Sequence, residues 1–368
     1  MTTRVLAGPG VLDRLGDALD ELHRATQTPV TARRPWLQTW SDCYPGFEPL
    51  AVVVDGPDRR LDGAALLAVK TRRWGLQMVG MGHGPSDQLR LPARDRAAAM
   101  ALSEAVCRFL RRVASAWTLR IAQLPENDSV AALVADGLKA ASIVPGVNSP
   151  TTRFRDDRRL RAHVSKNHHQ QVRRMMNKMS RDGLEPTFRA HRDPDPIAGL
   201  LPEIERVCRA RDHQLGRRSK LDDPSAGPFF RRIIIEAAAR GEVELITLDL
   251  DTRLAAYVLS FLDDGAYRMW NCRFDPDFER YGVGRVANDH ALGRALADHG
   301  AHEFDWMKGE EGYKASLATD VVPAVDLLSW SSPAVRTVMD RPRSTKQMIK
   351  RWTTLSEPLA RLVARVRR

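Results

Sequence analysis

Near the C-terminal end of the chain, the run Phe-Asp-Trp-Met-Lys-Gly-Glu-Glu-Gly-Tyr-Lys places Asp305, Lys308, Glu310, Glu311, Tyr313 and Lys314 within residues 304–314. Acyl transfer to an amine requires the nucleophile to lose a proton and the leaving group to regain one. A carboxylate close to an ammonium and a phenol suits that work. The same spacing also suits a purely structural turn, in which Asp305 pairs with Lys308 and Tyr313 covers the end of a sheet.

Upstream, residues 279–285 read Glu-Arg-Tyr-Gly-Val-Gly-Arg. Gly282, Val283 and Gly284 stand directly before a helical stretch. Such a loop leaves backbone N–H groups facing outward and adds the positive end of a helix, which together attract a pyrophosphate or another anion. Arg280 and Arg285 supply side-chain charge to the same end. Turns use Gly-X-Gly everywhere, so the motif draws its meaning from the strand at 268–273, with Trp270 and Asn271, and from the helix at 286–298.

These segments need a scaffold, and the rest of the chain supplies one. In the first half, helical stretches at 12–23, 35–44, 94–114 and 130–141 alternate with strands at 50–54, 63–70, 74–81 and 117–124. That alternation predicts an α/β layer structure. In the second half, a basic helix within 158–181 stops at Gly183, and helices at 203–212 and 229–240 precede strands at 243–248, 254–262 and 266–273. Asp263-Asp264-Gly265 reads as a hairpin turn. The two halves share a rough order of elements, as duplication of one domain would produce. At 368 residues, 43% of them hydrophobic, the chain suits two domains with cores of their own. The divisions fall at 1–152, 153–332 and 333–368.

Charge is unevenly placed. Residues 153–181 and 341–368 each carry a local net of +8 within a chain whose total is +11, so the remainder is net negative. Two basic clusters on an acidic body either mark the footprint of an anionic partner or form solvated helix faces. Arg173, Arg174 and Lys178 lead the first cluster. The last stretch, with Leu359, Leu362, Val363 and Val366 on one face and arginines on another, reads as a helix that docks on its own protein or lies on an anionic membrane surface. The four cysteines are widely scattered, a spacing that suits neither zinc nor a disulfide framework and fits a reducing cytosol. No apolar run reaches a membrane-spanning length. Adjacent His168-His169 and the pair His299 and His302 have no supporting carboxylates of recognised spacing, so no metal site is expected. No elbow motif presents a serine nucleophile.

The order of strand, Tyr-Gly-Val-Gly loop, helix and closing run resembles the C-terminal GNAT domain of the CelD-type and FemAB-like acyltransferases. Their closing motif is similar, Phe-Asp-Phe-x-x-Gly-x-x-x-Tyr-Lys. The basic helix around 165–181, the run Pro35-Trp36-Leu-Gln-Thr-Trp40 and the run Gly84-Pro-Ser-Asp87 also resemble family segments, so the likeness covers roughly residues 30–330. It implies two tandem GNAT-like domains of α/β (α+β) type, each a mixed central sheet flanked by helices, followed by a basic helical tail.

The resemblance further implies a cytoplasmic enzyme, peripheral at the inner membrane face if the tail binds lipid, that holds no permanent cofactor. It would move an acyl group from a CoA thioester to an amine or hydroxyl of a small molecule, sugar or envelope precursor. Alternatively it would move an aminoacyl group from a charged tRNA. A lesser reading is a non-catalytic module that grips nucleic acid or a membrane. By the resemblance, Asp305, Lys308, Tyr313 and Lys314 are catalytic. Gly282, Val283, Gly284, Arg280, Arg285, Trp270 and Asn271 meet the donor. Asp87 and Trp36 face the first-domain cleft, and Arg173, Arg174 and Lys178 contact RNA or another anion. One departure stands out: Glu279 occupies the place where the CoA-binding pattern has Gln or Arg, and a carboxylate beside a pyrophosphate is unfavourable.

Overall fold

The computed structural model describes residues 1–309 and 311–337. Glu310 and residues 338–368, which include most of the expected basic tail and its helix, lie outside the described residues.

Two mixed seven-stranded sheets form the frame. The strands of the first are β1 (Thr2–Ala7), β2 (Glu48–Asp55), β3 (Leu61–Arg72), β4 (Gly75–Gly80), β5 (Trp117–Pro125) and β6 (Ala141–Pro145), with β14 (Ala324–Trp330) inserted between β5 and β6. The second sheet holds β7 (Ser149–Arg153), β8 (Pro186–His191), β9 (Val243–Leu250), β10 (Arg253–Asp263), β11 (Ala266–Phe274), β12 (Glu303–Asp305) and β13 (Asp320–Val322), in the order 13-7-12-11-10-9-8. Helices α1 (Val11–Ala25), α2 (Arg34–Cys43), α3 (Arg96–Arg112) and α4 (Ser129–Gly137) belong to the first half. Helices α5 (Lys166–Arg181), α6 (Pro194–Gln214), α7 (Ala226–Ala239), α8 (Val283–Ala297) and α9 (Gly312–Leu317) belong to the second. This is the two-domain GNAT-like α/β arrangement. No helix of the described residues is long and apolar enough to cross a membrane.

Local chemistry explains most of these elements. Strands β2 and β3 are buried from Pro49 to Asp55 and from Leu61 to Ala68, because alternate residues face two different hydrophobic cores. Asp95, Asp128 and Ser165 cap α3, α4 and α5 by accepting the backbone N–H three residues on. The β10–β11 hairpin turns at Asp264 and Gly265, both at positive φ (49° and 82°), as the tight two-residue turn requires.

The sheets do not follow the chain in simple order. Strand β7 spans the division at 152/153 and belongs to the second sheet. Strand β14, at the end of the segment 153–332, returns to the first sheet and pairs with both β5 and β6. The halves also share a core. Trp36 of α2 packs edge-on against Phe229, Phe261 and Trp270, at ring distances of 5.2, 5.2 and 5.3 Å. A chain of buried charges adds to the seam: Arg33 pairs with Asp263 at 2.6 Å, Asp263 with Arg268, and Arg268 with Asp305 at 2.8 Å.

Candidate active site

The site forms where two parallel strands part. Strands β11 and β12 pair only over residues 266–268 and 303–305. Beyond Arg268, β11 continues to Phe274 with no strand on that edge among the described residues. On the β12 side the chain turns away through Met307 (φ 56°) and Gly309 (φ 146°). A Cβ at Gly309 would collide with the Glu311 carboxylate and lie 2.7 Å from Lys314 Nζ, so this turn needs glycine. Helix α9 then brings Tyr313 and Lys314 to the same space. The expected strand-and-turn for the closing run is thus a strand, a turn and a short helix.

The resulting cavity has a volume of about 420 Å³ and draws its walls from both halves. Gly84, Pro85 and Asp87 come from the loop after β4, residues 269–273 from β11, and residues 217–221 from the turn between α6 and α7. Asp87 and Lys308 Nζ meet at 2.6 Å, and the ammonium also reaches the Ser86 carbonyl at 3.4 Å. Burial pushes the Asp87 carboxyl above its ordinary range, while the ammonium of Lys308 pulls the other way. The Tyr313 hydroxyl lies 3.5 Å from Cys272 Sγ, and burial pushes that phenol far up, so it stays protonated. Lys314 is buried and engaged: it donates to the Lys308 carbonyl at 3.0 Å and pairs with Glu311 at 3.2 Å. Trp270 lines the cavity with its Nε1 donating to the Pro85 carbonyl at 3.1 Å. Asn271 lines it while accepting from Tyr257 at 2.6 Å.

Other expected residues are placed elsewhere. Asp305 is 2% exposed and stands behind the cavity, where its oxygens accept from Arg268 at 2.8 Å, Gln88 at 2.7 Å and the Met307 N–H at 2.7 Å. Trp36 is buried in the shared core, its Nε1 donating to Ser86 Oγ at 2.8 Å, and does not line the cavity. The glycine loop does not line it either. Gly282, at φ 65°, lies under α5, where a Cβ would sit 2.6 Å from Met175 Sδ. A Cβ on Gly284 would sit 2.9 Å from the Phe274 ring, and Val283 is fully buried. Packing therefore accounts for both glycines. Arg280 lies on the Tyr281 ring near Asp182, and Arg285 is half-buried near the start of α8. Glu279 pairs with Arg211 of α6 at 3.2 Å. On α5, Arg173 and Arg174 are exposed, whereas Lys178 donates to the Arg280 carbonyl at 3.0 Å.

The sequence reading missed three groups around the cavity. Cys208 of α6 lies 2.7 Å from the Tyr257 hydroxyl, which in turn donates to Asn271. Burial pushes the Cys208 thiol up to about 11, so it serves as a hydrogen-bond donor and not as a nucleophile. Arg273 and the turn with Arg217, Arg218 and Lys220 complete the wall. Nothing in their spacing joins them, because α6, α7 and β11 meet only in three dimensions.

Comparison with known proteins agrees with this architecture. Residues 166–315 match the family model of an acetyltransferase (GNAT) domain. The crystal structure of FemX superposes with a TM-score of 0.59 at 11% identity, over 84% of this chain and 95% of that one. The C-terminal domain of a putative lysylphosphatidylglycerol synthetase from Agrobacterium fabrum gives 0.54 at 11% identity, over 90% and 96%. L-PGS from Bacillus licheniformis gives 0.52 at 12% identity, over 88% and 95%. No curated protein matches the chain by sequence.

Proposed function

We propose that this chain is a tandem-GNAT, FemAB-like transferase that moves an acyl or aminoacyl group to an amine held between its two halves, a reading supported by the GNAT-domain match over residues 166–315 and by the fold shared with FemX. The observation that carries this reading is the meeting of Asp87, Lys308 and Tyr313 in one cavity beside the unpaired edge of β11. In the proposed reaction the amine nitrogen attacks the donor's acyl carbonyl. Backbone N–H groups on the open edge of β11 receive the oxyanion that develops there. Asp87, with its carboxyl raised by burial and held by Lys308, takes the proton from the amine. Tyr313, held protonated, gives a proton to the departing sulfur or ribose oxygen as the amide forms.

The donor is a CoA thioester or an aminoacyl-tRNA. Met175 and Phe274 pack against the two loop glycines and the acidic Glu279 stands beside them, which makes this loop a poorer seat for a CoA pyrophosphate. Exposed Arg173 and Arg174 on the helix above that loop suit the phosphates of an RNA. These features favour the charged tRNA. The deciding experiment incubates the protein with acyl-CoA, or with charged tRNA, and a mixture of amines, and follows products by mass spectrometry. Product with one donor alone identifies it, and no product with either removes the reading.

A further inference from the structure

The cavity carries more positive charge than its own carboxylates balance. Asp87 is taken by Lys308 at 2.6 Å, Glu311 by Lys314 at 3.2 Å and Asp212 by Arg217 at 2.8 Å. Arg273, Arg218 and Lys220 line the same space, and none has a carboxylate within ion-pair distance among the described residues.

Arg273 is the telling member. It sits half-buried near the end of β11, opposite Tyr257 on β10. One arm of its guanidinium donates only to the neighbouring Cys272 carbonyl, at 2.7 Å. Its Nε is fully enclosed and has no hydrogen-bond partner among the described residues. An enclosed, charged donor left without an acceptor is costly, and in the wall of an open cavity a bound oxyanion is one group that would satisfy it. Asp212 is the carboxylate whose field reaches this arginine, and Arg217 already holds it. Arg218 and Lys220 are exposed, and ordinary solvation of a surface turn accounts for them alone. It does not account for the enclosed Nε of Arg273 behind them.

Resting on the acyl-transfer reading above, we propose that the acceptor is an anion. It is an amine that also bears a carboxylate or phosphate, whose oxyanion sits on Arg273 while Arg218 and Lys220 close over it from the turn. A planar guanidinium presents two parallel N–H donors, which match either oxyanion.

The test is calorimetric titration of the full chain at fixed ionic strength, without any acyl donor, using glutamate, glucosamine 6-phosphate and neutral glucosamine as probes. The expected result is that one or both anionic probes bind at least tenfold more tightly than glucosamine. Whichever anion binds more tightly identifies the oxyanion. Arg273→Gln is expected to lose at least tenfold in that affinity, and the double variant Arg218→Ala/Lys220→Ala severalfold. Failure of both anionic probes to bind the wild type, equal binding of glucosamine, or wild-type affinity in Arg273→Gln would overturn the proposal. Should Arg273→Gln fail to fold, the surface double variant decides, and unchanged affinity there counts against the site. Because no donor is present, anion binding stands or falls separately from acyl transfer.

Discussion

Asp87, on the loop after β4, and Lys308, just past β12, meet at 2.6 Å across the junction of the two halves. Among the described residues neither has an ion-pair partner of opposite charge within its own half, so the pair exists only when both halves are assembled.

If this pair serves proton transfer, Asp87→Asn and Lys308→Met each lower turnover by roughly 10²–10⁴-fold. The double variant loses little more than the worse single one, since both removals break one unit. Turnover should also fall as pH drops and the raised Asp87 carboxyl takes up a proton. Steady-state rates with the identified donor check this, and full turnover in Asp87→Asn would assign the pair to structure.

Asp305 belongs to the scaffold, because its oxygens are spent on Arg268, Gln88 and the Met307 N–H. Asp305→Ala leaves Arg268 enclosed with only Asp263 and the more distant Glu303, and should cost roughly 3–5 kcal/mol of stability. Urea unfolding measures it. A loss under about 1 kcal/mol would place the residue's importance elsewhere.

The glycine loop makes a different prediction. Gly282→Ala puts a side chain at φ 65° against Met175, at a cost of about 1–2 kcal/mol for the backbone alone. Removing the Met175 side chain in the same protein should return part of the loss, since the obstruction is a flexible thioether. Thermal unfolding of the single and double variants tests this. No rescue would mean that the backbone alone is responsible.

His23 sets a pH dependence. It is 2% exposed, both ring nitrogens lack partners among the described residues, and burial lowers its pKa from 6.5 to about 4. The unfolded chain therefore binds this proton more readily than the folded one between those values. Its contribution is fully present above pH 6.5 and is lost as pH falls toward 4, to a total of roughly 3 kcal/mol. Replacement by leucine should flatten that part of the stability profile, as followed by denaturant titration across pH. An unchanged slope would mean that other groups dominate the acid limb.

Much of the architecture was legible before any fold was known. The Asp-Gly hairpin, the strands on either side of it and the basic helix opening the second half follow from turn chemistry and periodicity that act within a few residues. Of the closing run, the structure brings Lys308, Tyr313 and Lys314 to one cavity and buries Asp305 behind it. Strands β1, β6, β7, β8, β13 and β14 were not read. Strand β14 in particular owes its state to partners far away in sequence, β5 and β6.

The sequence by itself determined most of the helices and the central strands, the hairpin turn at Asp264-Gly265, and which residue types are available for proton transfer and anion binding. Those are short-range properties of the chain. Only the tertiary structure decided what each polar group faces. It set Asp87 against Lys308, spent Asp305 inside a buried ion-pair chain, packed Met175 against Gly282, and left Arg273 in a cavity wall with no ion-pair partner among the described residues. The reason is physical: hydrogen bonds and ion pairs act over about 3 Å, and the residues that come that close are chosen by the packing of two sheets and their shared aromatic core.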